Sequence, residues 1–199
     1  MDNLIYERKH IDNGLTLVAG VDEVGRGPLA GPVVCSAVIM DLDNIVEGVK
    51  DSKKLSEKKR EQLFEQIIKH AKSYSIVEVS QERIDEINIL NAVKECMEMA
   101  VNSLSIKPDI TLVDGVDTNL KINAEYLIKG DDKSYTIGCA SILAKVYRDR
   151  LMVKYAEQFP EYGFEKHKGY GTKFHIDKIK EIGPCKLHRK TFIKNFWAE

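Results

Sequence analysis

Three apolar segments of strand length in this chain are each followed closely by acidic residues. Asp22 and Glu23 follow VAGV, Asp114 follows TLV, and Asp131 and Asp132 follow YLIKG. At any one place, an acid after a buried strand is commonly a turn former or a helix N-cap. Three such places weaken that explanation, because strand ends in an open α/β sheet meet at one edge. We therefore expect these acids to converge, although they are far apart in sequence.

The order of the elements indicates an α/β fold with a mixed sheet. Apolar runs and alternating patterns predict five strands, at 15–22, 32–40, 74–80, 110–115 and 125–132. Apolar residues at helical spacing predict four helices, at 63–71 behind a Ser56 N-cap, at 81–104 with a break near Asn88, at 137–155, and around 174–182. The first two strands are joined by a Gly/Pro-rich turn and form a hairpin; later strands alternate with helices, which is typical of a mixed sheet.

Length and composition favour one intracellular domain. The 199 residues are 43% hydrophobic and 31% charged, within the usual range for a globular protein. No apolar stretch approaches the ~20 residues of a membrane span, and the first ten residues lack the apolar core of a signal peptide. The four cysteines have no zinc-binding or redox spacing, and Cys35 and Cys139 lie in apolar runs. We expect a cytoplasmic protein without membrane contact.

The C-terminal part is basic, although the formal net charge of the whole chain is only −1. Residues 164–198 contain nine Lys and Arg against three acids, together with His167, His175 and His188. This composition fits a solvated basic helix, and it equally fits a surface that contacts phosphates. Charge alone does not decide between them.

A cluster of carboxylates requires a cation, because neighbouring negative charges repel one another. Oxygen ligands without His or Cys suit hard divalent ions such as Mg²⁺ or Mn²⁺, and two ions ~3.5–4 Å apart can hold a phosphodiester for in-line attack. A glycosidase would use only two carboxyl groups, ~5–9.5 Å apart, and leave the other acids idle. Adjacent Asp22 and Glu23 can serve one cluster only if the strand ends between them, and Gly25 and Gly27 would permit that bend.

Eight motifs in one order resemble those of the type 2 ribonucleases H, and within them the ribonuclease HII family. They are VAGVDEVGRGPLAGPVV (18–34), DSKKLS (51–56), DEINIL (85–90), LVDG (112–115), KGD (129–131), ASILAKVYRDR (140–150), YGFEKHKGYGT (162–172) and HRKTF (188–192). The related ribonuclease HIII has an added N-terminal substrate-binding domain. Since the first strand begins by about residue 15, the HII type is expected.

The resemblance implies an RNase H-like fold: a central mixed sheet flanked by helices, with a small helical C-terminal part. It implies one catalytic domain over 1–199, with a basic helical appendage at about 156–199 completing the substrate groove.

The resemblance also assigns the chemistry. Asp22, Glu23, Asp114 and Asp131 would be the catalytic, metal-binding acids, with two Mn²⁺ or Mg²⁺ ions; Asp132 is not required by the motif. The implied reaction is endonucleolytic cleavage of RNA in RNA/DNA hybrids, and on the 5′ side of single ribonucleotides in duplex DNA, leaving 3′-hydroxyl and 5′-phosphate ends. The implied role is ribonucleotide removal in DNA replication and repair.

The resemblance also suggests how the ribose 2′-hydroxyl is recognised. Gly25, Arg26 and Gly27 would contact it mainly through backbone groups, with Tyr170 as an aromatic partner. Glycine-lined backbone can approach a hydroxyl closely, and the 2′-hydroxyl distinguishes RNA from DNA. Taken alone, Tyr170 is better explained as a half-buried loop tyrosine.

Candidate phosphate-binding residues carry a weaker signal. They are Ser52, Lys53, Lys54, Lys145, Arg148 and Lys168, followed by His188, Arg189 and Lys190. Lys145 and Arg148 are three residues apart and so share a helical face. Each lysine or arginine is equally explained as a solvated charge.

Two other functions are compatible with the residues alone: DNA strand transfer or resolution by an RNase H-like nuclease, and nucleic-acid binding without catalysis. We expect the protein to be a monomer that binds RNA/DNA hybrids and ribonucleotide-containing duplex DNA.

Overall fold

The predicted strands form one mixed sheet in a computed structural model that describes residues 3–49 and 52–197. Its strands are β1 (Val18–Val24), β2 (Val33–Met40), β3 (Ala71–Val79), β4 (Ile110–Asp114) and β5 (Ala124–Leu127), in the spatial order β3-β2-β1-β4-β5. The helices are α1 (Ile5–Asp12), α2 (Glu57–His70), α3 (Gln81–Asn102), α4 (Gly130–Lys133), α5 (Tyr135–Gln158), α6 (Phe164–His167), α7 (Lys173–Ile182) and α8 (Lys190–Ile193). Short 3₁₀ turns lie at Ser52–Lys54 and Pro160–Tyr162. The α/β prediction is confirmed.

The pairing of β1 brings acids together across the sheet. β1 is antiparallel to β2 and parallel to β4, and Val21 lies beside Val113. The next residues along the two parallel strands are Asp22 and Asp114, so the register sets two carboxyl groups at the same sheet edge. The predicted convergence therefore follows from strand register.

Helix α5 crosses the sheet so closely that β1 needs a glycine beneath it. A Cβ at Gly20 would lie 2.2 Å from the carbonyl carbon of Thr136 and 2.4 Å from the nitrogen of Ile137. Side chains of β2 and α5 then fill one layer of the core, while α3 covers the other face of the sheet. The first turn of α5 is thereby fixed against the strand that carries Asp22.

The first strand differs from its prediction at both ends. It begins at Val18 rather than at residue 15, and it continues to Val24. The prediction that the strand ends between Asp22 and Glu23 is wrong, because the hairpin pairing continues: Glu23 lies opposite Cys35 and the next residue opposite Val34.

Residues 125–132 also differ from the single strand that the sequence suggested. β5 ends at Leu127, and Asp131 lies in the short helix α4, which follows a left-handed Lys129 (φ 58°). Other details are confirmed: Ser56 caps α2 by accepting the Lys59 N–H, and Asn88 interrupts α3 with φ 65° and ψ 164°.

The C-terminal segments pack around their own apolar cluster, which includes Met152, Tyr162, Phe164, Ile179 and Ile193. Division of the chain into a catalytic part and an appendage at about 156–199 stays a prediction. Among the described residues, no helix is both long and apolar enough to cross a membrane.

Candidate active site

Three acids from separate elements meet at one sheet edge. Asp22 of β1, Asp114 of β4 and Asp131 of α4 each offer a carboxylate oxygen, and these oxygens lie within 4.8 Å of one another. We call these three residues the acid cluster. Ligand oxygens ~2.1 Å from a Mg²⁺ ion stand at most ~4.2 Å apart, so little closure is needed. The oxygen-only donor set fits a hard divalent cation.

Backbone and hydroxyl groups orient two of these carboxylates. Asp22 Oδ1 accepts the N–H of Glu23 at 2.7 Å, and its carboxylate also accepts a hydrogen bond from Ser141 of α5. Asp114 Oδ1 accepts the N–H of Gly130 at 2.6 Å. The bond from Gly130 ties the end of β4 to α4 and thereby sets the distance to Asp131.

Burial makes the acid cluster electrostatically unfavourable without a cation. The pKa of Asp22 is raised well above its ordinary value by burial and then by the charges of Glu23 and Asp114. The pKa of Glu23 is also raised by burial and by Asp114, against the lowering effect of Arg26. A divalent cation would add an attractive charge next to these carboxyl groups, which lowers their pKa values and favours the ionised acids.

Glu23 stands apart from the other three acids. Within residues 3–49 and 52–197, the close carboxylate group contains Asp22, Asp114 and Asp131 but not Glu23. The Glu23 Oε1 instead lies 3.2 Å from Arg26 Nη1. The reason is the continued pairing of β1, since neighbouring side chains on a strand point to opposite faces. Its role as a fourth ligand stays a prediction.

The GRG loop (Gly25, Arg26 and Gly27) and Tyr170 lie together. A Cβ at Gly27 would be 3.7 Å from Tyr170 Cε1, and the tyrosine is 43% exposed. Gly25 has φ 99°, and a Cβ there would meet Arg148 Nε at 2.5 Å. The loop therefore needs glycine at 25 for backbone and packing reasons, whereas Gly27 faces the tyrosine ring.

Arg189 binds the GRG loop from the protein interior. This side chain is fully buried and donates to the carbonyls of Gly25 (2.6 Å), Arg26 (3.0 Å) and Gly31 (3.0 Å). In a trans peptide the carbonyl and the following N–H point in opposite directions. The N–H groups of Arg26 and Gly27 therefore point away from the guanidinium group.

Arg148 does not fit its predicted role at a phosphate. Its guanidinium is fully buried and donates to the carbonyls of Ala30, Pro32 and Lys168 at 2.9–3.1 Å. Burial lowers its pKa to about 10. The prediction of a surface contact is wrong because the loop after the GRG motif covers this face of α5. In the sequence, Arg148 is four residues from Ala144 and four from Met152, so the three share one helical face. The two apolar neighbours were the available signal that this face is buried, as all three residues are in the structure.

Two of the predicted phosphate-binding lysines lie at the acid cluster. Lys53 Nζ is 3.6 Å from Asp131 Oδ2, and Lys54 Nζ is 2.6 Å from Asp132. Ser52 is buried instead, with its Oγ 2.9 Å from Ser141 Oγ, so it supports the residue that contacts Asp22. The first residue of the DSKKLS motif, at 51, lies outside the described residues.

Four of the remaining candidates are engaged elsewhere. Lys145 is mostly covered and pairs with Asp149 at 2.7 Å, and Lys168 Nζ donates to the carbonyl of Glu165. His188 and Arg189 are buried.

The three C-terminal histidines pack against one another rather than forming part of a basic surface, with His175 and His188 buried and His167 half-buried. His175 and His188 lie with Nε2 atoms 3.0 Å apart, and the His167 ring stacks on His175 at 4.4 Å between centroids. Burial lowers the pKa of His175 and of His188 to about 4. The phosphate-contact explanation therefore fails for His175 and His188, which burial keeps neutral at pH 7.

This burial predicts acid sensitivity of the fold. Unfolded histidines take up protons below about pH 6.5, but the folded pair does so only near pH 4. The unfolded state binds more protons in that window, so stability should fall as the pH drops from about 6.5 to 4. Asp22 and Glu23, with raised pKa values, act in the opposite sense. Denaturant titrations should therefore compare wild type with His188→Gln, whose stability should depend less steeply on pH; identical slopes would contradict the prediction.

Comparisons with solved structures identify the class of the fold. Ribonuclease H2 from Pyrococcus horikoshii OT3 aligns with a TM-score of 0.76 and 32% identity, covering 90% of this chain and 96% of that chain. RNase HII in the PCNA:RNase HII complex from Archaeoglobus fulgidus aligns with a TM-score of 0.77 and 30% identity, covering 92% and 98%. A mixed sheet with acids gathered at its edge is thus an RNase H-like fold.

Sequence comparisons then specify the family. The model of the ribonuclease HII family matches residues 19–199. Ribonuclease HII of Caldicellulosiruptor bescii is 56% identical over 190 residues, which are 95% of this chain and 92% of that protein. The Clostridioides difficile enzyme is 50% identical over 96% of this chain and 75% of its own length. The chain belongs to the ribonuclease HII family and has ribonuclease H activity on nucleic acid.

Proposed function

We propose that this enzyme cuts RNA in RNA/DNA hybrids and cuts duplex DNA on the 5′ side of single embedded ribonucleotides. The observation that carries the proposal is that the acids and the GRG loop are close together. Asp22 and Gly25 are three residues apart in sequence, and the loop lies against Tyr170. A group that tests the sugar thus stands next to the acids that would act on its phosphate. The products would carry 3′-hydroxyl and 5′-phosphate ends.

Asp22, Asp114 and Asp131 would hold two divalent ions, Mn²⁺ or Mg²⁺, with Glu23 as a fourth ligand after reorientation from Arg26. When bound, such ions supply the charge that activates the attacking water and stabilises the leaving oxygen. Ser141 keeps Asp22 oriented, and Gly130 does the same for Asp114. Lys53, near Asp131, is suited to neutralise a phosphate that enters the cluster.

The GRG loop would recognise the ribose of the substrate and would take no part in the cleavage step itself. Since the carbonyls of Gly25 and Arg26 are turned to Arg189, the N–H groups of Arg26 and Gly27 are suited to donate to the 2′ oxygen. The ring of Tyr170 would pack on the same sugar, and its hydroxyl would add a polar contact. Deoxyribose would leave these donors without an acceptor, which weakens binding.

With this activity, the enzyme would act in ribonucleotide removal during DNA replication and repair. A cytoplasmic location and a monomeric state stay predictions, as does a C-terminal appendage that completes the substrate groove.

Three duplexes test the proposal: DNA with one ribonucleotide, a continuous RNA/DNA hybrid, and all-DNA, each with Mg²⁺, Mn²⁺ or chelator. We expect cleavage of the first two only with an ion present, with the single-ribonucleotide duplex cut on the 5′ side. Equal cleavage of all-DNA would contradict recognition of the 2′-hydroxyl. Undiminished cleavage in chelator would contradict the metal mechanism, and binding without any cleavage would indicate a non-catalytic protein.

A further inference from the structure

The backbone at Tyr170 is held by a chain of hydrogen bonds that begins at the far side of the C-terminal segments. The N–H of Cys185 lies 2.9 Å from His188 Nδ1, His188 Nε2 lies 3.0 Å from His175 Nε2, and His175 Nδ1 lies 2.9 Å from the Tyr170 carbonyl. Both histidines are at most 4% exposed.

The Tyr170 carbonyl determines where the protons of this chain lie, because it can only accept. The proton of the neutral His175 ring is therefore on Nδ1, and its Nε2 accepts from Nε2 of His188. Nδ1 of His188 then accepts the N–H of Cys185 at 2.9 Å and does not donate to the Cys185 carbonyl, which lies 3.2 Å away. The opposite arrangement would set two acceptors, His175 Nδ1 and the carbonyl, against each other. One neutral proton arrangement therefore satisfies every member.

The same segments are joined to the GRG loop by backbone hydrogen bonds. Gly31 N–H donates to the Leu187 carbonyl, Arg189 N–H to the Leu29 carbonyl, and Leu29 N–H to the Gly169 carbonyl, each at 2.8 Å. His188 thus sits between the loop that follows Gly27 and the segment that carries Tyr170. A shift of this histidine would change the spacing of the two.

We propose that His175 and His188 are positioning residues for recognition of the ribose: their proton-ordered chain fixes Tyr170 against Gly27. This role rests on the proposed function of Tyr170 at the 2′-hydroxyl. Both histidines are buried, and their hydrogen bonds lead to Cys185 and Tyr170 rather than to the acid cluster, so their effect would pass through the tyrosine.

Two substitutions at one position separate this role from packing. His188→Asn keeps an acceptor for the Cys185 N–H but lacks the donor to His175, whereas His188→Gln can extend an amide N–H toward it. We expect kcat/KM on the single-ribonucleotide duplex to fall about three- to tenfold in His188→Asn, and His188→Gln to recover most of the loss. His70→Asn, at the end of α2, is the surface control. Equal losses in both His188 variants would overturn the role.

A double-mutant comparison separates this inference from the proposed function. If the chain acts through the tyrosine, His188→Asn combined with Tyr170→Ala should be no slower than Tyr170→Ala alone. Additive losses would overturn the positioning role and leave the function of Tyr170 intact. Wild-type cleavage by Tyr170→Ala would instead overturn the function proposed for the tyrosine itself.

The proton arrangement can be measured without any activity. In ¹⁵N-detected imidazole spectra of the wild-type protein at pH 7, His175 should carry its proton on Nδ1 and His188 on Nε2. Tyr170→Ala should preserve both tautomers, since only the backbone carbonyl is used. A proton on Nε2 of His175 would overturn the inference.

Discussion

Asp22→Asn should lower the rate of cleavage by about a thousandfold or more, without lowering the stability of the protein in chelator. With Asp22 as a proposed ligand, its loss would weaken binding of the ions and the stabilisation of charge in the transition state, which is worth several kcal/mol. In the absence of ions, the substitution removes a buried charge that faces Asp114, while the amide oxygen can still accept the Glu23 N–H. Single-turnover cleavage with Mn²⁺ and thermal unfolding in chelator measure the two effects.

The matched control is Asp132→Asn, beside the cluster. Asp132 pairs with Lys54 and is exposed, so its loss should change the rate by no more than about twofold. If Asp22→Asn cleaved at the wild-type rate, the acids would be turn formers rather than ligands. A large fall in its melting temperature in chelator would contradict the electrostatic argument and leave the ligand role to be judged by Mn²⁺ titration.

Tyr170→Ala should reduce kcat/KM on the single-ribonucleotide duplex by about 10- to 100-fold. The substitution removes both the ring that packs beside Gly27 and its hydroxyl, each worth about 1 kcal/mol. Tyr170→Phe should lose only the part due to the hydroxyl. Competition between the single-ribonucleotide duplex and the continuous hybrid, at saturating Mn²⁺, measures the effect on recognition.

The control for exposure is Tyr74→Ala on β3, because Tyr74 is 42% exposed and lies on the edge strand of the sheet. It should cleave like wild type. Mn²⁺ affinity should be unchanged in both tyrosine variants, since neither residue belongs to the acid cluster. An unaltered rate for Tyr170→Ala would return this residue to the simpler explanation of a half-buried loop tyrosine.

Local patterns in the sequence predicted much of the fold. Ser56 at a helix start and Asn88 within α3 act through their own backbone, so their effects are visible in sequence. The meeting of Asp22, Asp114 and Asp131 also followed from where apolar segments end. The path of β1 beyond Asp22 could not be predicted, because pairing of Glu23 with Cys35 depends on the partner strand.

The buried cations were harder to predict because their partners are backbone carbonyls distant in sequence. Arg148 shares a helical face with Lys145 by spacing, yet carbonyls of Ala30 and Pro32 cover only the arginine. In the same way, a count of charges treats His175 and His188 as basic, whereas burial keeps them neutral. A charge pattern in the sequence gives the sign of a side chain's charge, but it does not show whether that side chain is buried.

Helix α5 gives the site a fixed internal length. Ser141, which contacts Asp22, and Arg148, which holds the loop through Ala30 and Pro32, are seven residues apart on this helix. Two helical turns rise ~10.5 Å with little freedom to stretch. The helix therefore fixes the distance between the acids and the GRG loop. If the loop recognises the ribose as proposed, the cut would fall at a set distance from that sugar.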